Sequence, residues 1–233
     1  EDGSINTTKT SASTTSGFSI STYTGTGSNA TIGHGLGVAP KVVIIKSTTA
    51  GEDWTMFHEA IGATKYLVLN SQGGVGGPAA GPFNNTAPTS DVFSVGTWGS
   101  TNGSSQTLVA YCFAEVKGYS KISSYIGNGS ATAPTFIYLG FKPAFVLIKN
   151  TTQADAWFLH DSKRDGFNDD NEYLRPNLTA AESSGINRIR LLSNGFSVPT
   201  TDKSHNVSGN VYIYMAFAEN PFVTSTGIPA TAR

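Results

Sequence analysis

The sequence repeats itself, and the repeat constrains the fold more than any other feature. The string GLGVAPKVVIIK carries Gly37-x-x-Pro40-x-x-Val43-x-Ile45-Lys46, and GFKPAFVLIK carries Gly140-x-x-Pro143-x-x-Val146-x-Ile148-Lys149, an offset of 103 (143 − 40). Tyr23 of YTGTGS matches Tyr125 of YIGNGS at 102, and Trp54 matches Trp157 at 103. Phe93 of VFSV matches Phe196 of GFSV at 103, and Phe113-Ala114-Glu115 matches Phe217-Ala218-Glu219 at 104. Anchors in one order at a nearly constant offset predict two tandem copies of a module of about 100 residues. The expected division is a polar linker or N-terminal arm at 1–17, one repeat at 18–118, a second at 119–222 and a tail at 223–233.

Each copy offers about six strands by period and turn signals. They are the Tyr-x-Gly-x-Gly-Ser strand, the Pro-x-x-Val-x-Ile-Lys strand, the Trp strand, KYLVLN (Lys65 to Asn70) or EYLRPN (Glu172 to Asn177), the Phe-Ser-Val strand, and a closing TLVAYCFAE or VYIYMAFAE. The closing strands are apolar on both faces and so predict central positions. Asn102-Gly103, Asn128-Gly129 and Asn194-Gly195 read as hairpin-type turns, Ala180 to Leu191 as a short helix, and Trp54 and Trp157 as core. The fold class is all-β, a duplicated antiparallel β-sandwich or jelly-roll-like module; one sandwich or two stays open.

Charged residues make up only 13% of the chain, below the roughly 25% usual for soluble domains, and 26 glycines stand among many Ser, Thr and Asn. The formal charge of −1 supplies no basic face for nucleic acid and disfavours acidic lipid surfaces. The single cysteine, Cys112, excludes an intrachain disulfide and a Cys-based zinc site, and it reads as a small buried apolar residue. There is no 18-residue apolar run, so no membrane-spanning helix is expected. The opening EDGSINTTKTSASTTSG lacks the basic and apolar parts of a signal peptide and reads as a polar linker.

The glycines of IGHGLGVAPK invite a phosphate-binding reading. Such a loop needs its glycines at a helix N-terminus, whereas here they lead through Pro40 into the β-branched run VVIIK, and the second copy keeps only Gly140. His34 has Ile137 at its matching position and reads as a surface or packing residue. His58-Glu59 and His160-Asp161 each follow the Trp strand, but neighbours on a strand point to opposite faces, which makes a poor base-carboxylate pair. Glu115 and Glu219 are a formal glycosidase pair that reads more simply as fold-specifying. The acidic stretch HDSKRDGFNDDNEY fails the EF-hand spacing and reads as a solvated loop rather than a calcium site.

Binding is then expected in the loops that differ between the copies, Ser71 to Pro88 and Asp161 to Asn177. The candidate receptor-binding residues are Asn84, Asn85, Trp98, Asn102, Asp165, Asp169, Asp170, Glu172 and Tyr173, with Trp98 and Tyr173 placed to stack on sugar faces. No catalytic residue, metal or cofactor is expected.

The strings GFSISTYTGTGSNATIGHGLGVAPKVVIIK, VAYCFAEVKGYSKISSYIGNGS, GFKPAFVLIK, HDSKRDGFNDDNEYLRPN and IYMAFAENPF resemble a family of phage proteins, mostly from marine phages. The resemblance runs from about Gly17 to the C-terminal GIPATAR. Such modules look like C-terminal parts of tail fibres or other virion appendages. The resemblance implies a non-enzymatic virion module that attaches to a host-surface glycan or protein, packs with other virion proteins and forms a homo-oligomer, by class a trimer. It supplies no catalytic motif and no binding residue. The alternatives are a capsid decoration, knob or tail structural protein making only protein contacts and, least favoured, a glycan depolymerase.

Overall fold

The computed structural model describes residues 2–164 and 172–219. It is an all-β protein of antiparallel sheets. The chain divides into two compact units, Glu1–Asn70 with Val75–Glu115, and Ser71–Gly74 with Val116–Arg233. Nothing in the sequence pattern foretells that Ser71–Gly74 belongs with the second unit.

Unit 1 holds β1 (Lys9–Ser13), β2 (Phe18–Thr24), β3 (Ala30–Gly33), β4 (Val42–Ser47), β5 (Thr55–His58), β6 (Leu67–Val68), β7 (Val92–Val95) and β8 (Thr107–Phe113). Six form one sheet in the order β1-β2-β8-β4-β5-β6, and β3 pairs with β7 in a second. Tyr23, Val43, Ile45, Leu108, Ala110 and Cys112 from the large sheet meet Ile32, Phe93 and Val95 from the small one in a single core. Each such side chain, fully buried, contributes about 1.5–3 kcal/mol relative to exposure. The β-branched run VVIIK makes β4, entered just after Pro40, where the missing N–H costs no ladder bond. Two one-turn helices, α1 (Ala80–Phe83) and α2 (Gly99–Asn102), flank β7.

The segment expected to be a linker or arm is ordered against this unit. Ile5 joins the core and forms a parallel bridge with Ile32, and β1 pairs with β2 from Lys9↔Thr22 to Ser13↔Phe18. All five residues of β1 are exposed, as suits a polar edge strand.

Unit 2 holds β9 (Ser120–Ile126), β10 (Thr135–Tyr138), β11 (Pro143–Asn150), β12 (Trp157–Asp161), β13 (Arg190–Leu192), β14 (Gly195–Val198) and β15 (Val211–Ala218). Its larger sheet runs β9-β15-β11-β12, the order that β2-β8-β4-β5 takes in unit 1. Its smaller sheet runs β10-β14-β13, with β10-β14 standing as β3-β7 does. Tyr125, Val146, Ile148, Tyr212, Tyr214 and Ala216 pack there against Ile137, Phe196 and Val198. Both closing strands, β8 and β15, have a strand on each side, as their apolar faces predict.

Some expectations need correction. Ala180 to Leu191 is not a helix: Ser183 bridges Tyr173, Gly185 takes φ +84°, and the stretch ends in β13. Asn102-Gly103 does not turn a hairpin but closes α2, with Gly103 at φ −55°. Trp54 is half-buried and stacks on Tyr111 (centroids 6.1 Å apart) outside the core, whereas Trp157 is buried.

Candidate recognition surfaces and the buried polar cluster

The Ser71 to Pro88 loop forms α1 in its second half, and α1 carries the backing for Trp98. The Trp98 N–H donates to Gly81 O at 3.2 Å, and the indole stands edge-on to Tyr66 with centroids 4.9 Å apart. A Cβ on Gly81 would overlap that indole, so glycine alone fits there. The ring remains 38% exposed. Asn84 closes α1 in the left-handed region (φ 49°), its N–H donating to Ala80 O at 2.7 Å, and Asn85 follows at φ 50°, exposed. Of the first-copy candidates, Trp98 at the start of α2 therefore packs on α1, and Asn84 and Asn85 close that same short turn.

Asn102 does not belong with them. It is completely buried and acts as a clamp: its Nδ2 donates to Ser28 O (2.6 Å) and Gly96 O (2.8 Å), and its Oδ1 accepts from Thr26 N (2.8 Å). Asn206 does the same in unit 2, with Nδ2 donating to Thr200 O (2.8 Å) and Val198 O (3.2 Å) and Oδ1 accepting from Asn128 N (2.9 Å). Beside each clamp a buried tyrosine is tied to the backbone, Tyr23 to Thr101 O (2.6 Å) and Tyr125 to His205 O (2.8 Å). A recurring string could have revealed the pair: Ser100-x-Asn102-x-Ser104 and Ser204-x-Asn206-x-Ser208.

The repeated lysines are likewise structural. Lys46 Nζ donates to Glu52 O, and Lys149 Nζ donates to Asp155 O and, at 3.0 Å, to Gln72 O of the Ser71–Gly74 stretch of its own unit. Lys149 is buried, and desolvation brings its ammonium down to about 8 against the opposing pull of Asp155.

Of the second-copy candidates, Asp165, Asp169 and Asp170 lie outside the described residues. Glu172 is half-buried. Tyr173 is only 6% exposed and is therefore no sugar-stacking platform. It lies under Arg188, whose guanidinium is 4.8 Å from the Tyr173 ring centre and 5.1 Å from that of Phe158.

Arg188 organises a polar cluster that is buried except at Asp202. It pairs with Asp202 (2.6 Å) and donates to Ser204 Oγ (2.6 Å). Ser204 Oγ lies 2.5 Å from both Asp202 Oδ1 and His205 Nδ1, and His205 Nε2 lies 3.0 Å from His160 Nε2. The proton positions follow from donor counting. A carboxylate only accepts, so the one Ser204 hydroxyl proton goes to Asp202. His205 Nδ1 must then donate to Ser204 Oγ, which leaves its Nε2 bare to accept from His160 Nε2–H. His160 Nδ1 is left as a bare lone pair, and it is a buried atom with no hydrogen-bond partner.

Burial, and then the Arg188 charge, brings His160 down to about 3. Burial, His160 and Arg188 push His205 well below the ordinary value. Burial alone would raise the Asp202 carboxyl, but hydrogen bonds from Ser204 and the Arg188 charge hold it below the usual range. This Ser-His-Asp set runs the wrong way for a nucleophile, because its imidazole donates to the serine instead of accepting from it.

The two His-acid dipeptides are not equivalent. Phe57 faces Val43 and His160 faces Val146, so His160 stands where unit 1 has Phe57, and His58 where unit 2 has Asp161. Phe57 packs edge-on to Phe83 at 5.8 Å. His58 serves as a cap, its Nδ1 accepting from Ala60 N at 3.2 Å. His34 is fully buried, bonded to Leu36 N and Thr89 O, and desolvation lowers its pKa. Cys112 is buried in the core, which pushes its thiol up to about 12. Glu219 is exposed and ion-paired with Lys163 at 2.6 Å, not paired with a second carboxylate. A cleft of about 180 Å³ lies between the N-terminal segment and Gly33–Gly35.

The sequence missed one exposed feature. Phe136 (47%) and Tyr138 (64%) project from the outer face of β10, while Ile137 between them turns inward. The apolar run FIYLGF suggests burial on both faces.

These observations define a class: an all-β protein of two sandwich-like units, with buried histidines in the second unit and exposed aromatics on β10 and at the start of α2. The chain belongs to the family described as a domain of unknown function, DUF7483, whose model matches residues 1–221. No curated protein and no solved structure matches it.

Proposed function

We propose that this chain is a non-enzymatic module of a phage virion, part of a tail fibre or appendage that attaches to a glycan or protein on the host surface. The observation that carries the reading is Trp98, backed by Tyr66 and Gly81 of α1 and still 38% exposed, with Asn84 and Asn85 at the end of that helix. A flat ring packed in this way suits stacking on a sugar at little entropic cost. The resemblance to phage appendage proteins supports the same reading, and so does the near-neutral, low-charge surface. We read the two units, with their equal strand order and paired Asn and Tyr ties, as copies of one module. Homo-oligomeric display of several such sites would raise weak contacts to useful avidity.

The test is binding of the chain to host cells, competed by host envelope glycan, with Trp98→Ala and Asn85→Ala beside the wild type. Binding that falls at least tenfold in Trp98→Ala with an unchanged melting curve supports the proposal. Unaltered binding in both variants, or no binding while antibody labelling places the chain in the capsid shell, sinks it. The second reading, a structural virion protein working only through protein contacts, is favoured by the open edge of β10.

A further inference from the structure

The small sheets of the two units differ at one edge. In unit 1, His34 N donates to Asp91 O and Ile32 pairs with Phe93. By the alternation of an antiparallel ladder, the N–H and C=O of Ile32 then face β7, while those of Thr31 face away from it. That outward edge is filled by the N-terminal segment: Ile5 N donates to Thr31 O (3.0 Å), Thr31 N donates to Ser4 Oγ (2.9 Å) and Ser4 N donates to Thr31 Oγ1 (2.9 Å). Gly3 lies so close that a Cβ there would be 2.6 Å from Thr31 O.

Unit 2 has the same geometry without the occupant. Leu139 N donates to Asn194 O and Ile137 pairs with Phe196, so Phe136 and Tyr138 direct their N–H and C=O groups away from β14. Among the described residues, β14 is the only strand beside β10, and none hydrogen-bonds those four groups. The residues that precede β9 are the connection from β8, so unit 2 has no leading segment of its own to lay there. The edge is short, but Thr135–Tyr138 holds no charge, no proline and no bulge. It presents two large aromatics instead.

We propose that the β10 edge pairs with β10 of a second copy of this chain. A two-fold axis through Ile137 sets Phe136 opposite the partner's Tyr138 and Tyr138 opposite the partner's Phe136. Each of these pairs exchanges two hydrogen bonds, four in all, and the three-stranded sheets merge into one of six strands. On the outer face each aromatic ring meets the other kind across the join, a favoured cross-strand pairing. Such a contact is isologous, and a chain of formal charge −1 does not repel its own copy. The inference holds whatever the receptor is, and a two-fold contact is distinct from the trimer that the class suggests.

The test is sedimentation equilibrium of the 233-residue chain over a hundredfold concentration range, with amide exchange read at Phe136 and Tyr138. The expected result is a monomer–dimer equilibrium in which those two amides gain protection as dimer forms. Tyr138→Lys should weaken the dimer at least tenfold. Phe136→Pro, which deletes an outward N–H and no bond to β14, should do likewise, and Tyr138→Lys with a native circular dichroism spectrum decides if the proline variant fails to fold. A monomer at every concentration overturns the proposal. So does a dimer or trimer that Tyr138→Lys leaves intact, and so does a monomer that loses host-glycan binding in Phe136→Ala.

Discussion

Acidification should weaken unit 2 well before its carboxylates titrate, because His160 and His205 are held neutral. An unfolded histidine titrates near 6.5, whereas His160 is brought down to about 3 and His205 also lies far below its ordinary value. The unfolded chain therefore binds more protons than the folded one between those limits. Stability falls as pH drops through 6.5 and keeps falling toward the folded values. From about pH 7.5 to about pH 5, His160 costs roughly 2 kcal/mol, a large part of a typical domain's stability, and His205 acts in the same direction. Near pH 5 the slope from His160 approaches one proton, to which His205 adds. Asp161 and Asp202 have lowered values, so their loss comes at more acid pH and does not blur the window. The assay is urea unfolding read by amide exchange in peptides from β12 and β15, which reports unit 2 alone. His160→Phe supplies the residue that unit 1 carries at the matching place, Phe57, and should reduce the slope by about one proton. Parallel wild-type and His160→Phe curves between pH 7.5 and 5 would refute the buried, neutral state of His160.

Asn102→Ala should destabilise unit 1 by about 2–4 kcal/mol, since it removes three hydrogen bonds of a fully buried amide and strands their backbone partners. Exchange in β8 should show the loss while β15 keeps its protection, and Asn206→Ala should show the reverse. Gly81→Ala should dislodge the Trp98 indole and red-shift the tryptophan emission; an unshifted spectrum would count against the packing described. Cys112, pushed up to about 12 in the core, should resist a thiol reagent at pH 8 in the native protein and react at once in urea. Fast native labelling would contradict its burial.

The strands were legible because their signals are local. VVIIK, VFSV, GFSV and the closing runs are β-branched or aromatic, and the apolar faces of the closing runs marked the central place of β8 and β15, whereas the short strands β1, β3, β10 and β13 carried no such signal and raised the count above the expected six per copy. The site was less legible, since exposure depends on what lies opposite. Trp98 and Tyr173 look alike as loop aromatics, yet one rests on a glycine and stays 38% exposed and the other lies under Arg188. Asn102 reads as half of an Asn-Gly turn, but its partners Thr26, Ser28 and Gly96 are set by tertiary approach. Phe136 and Tyr138 were lost in an apolar run because a strand's alternation is hidden when both faces carry apolar residues.

The Ser71–Gly74 stretch constrains how such modules can be exchanged between proteins. A recombination joint placed between Glu115 and Val116 carries off the second unit without the Gln72 carbonyl that takes a hydrogen bond from Lys149. The orphaned recipient would hold a buried ammonium short of one acceptor, and the donor would retain a four-residue tongue with nowhere to lie. Swaps that succeed are therefore expected to move the whole pair, so that the two units are inherited as one cassette despite their separate cores.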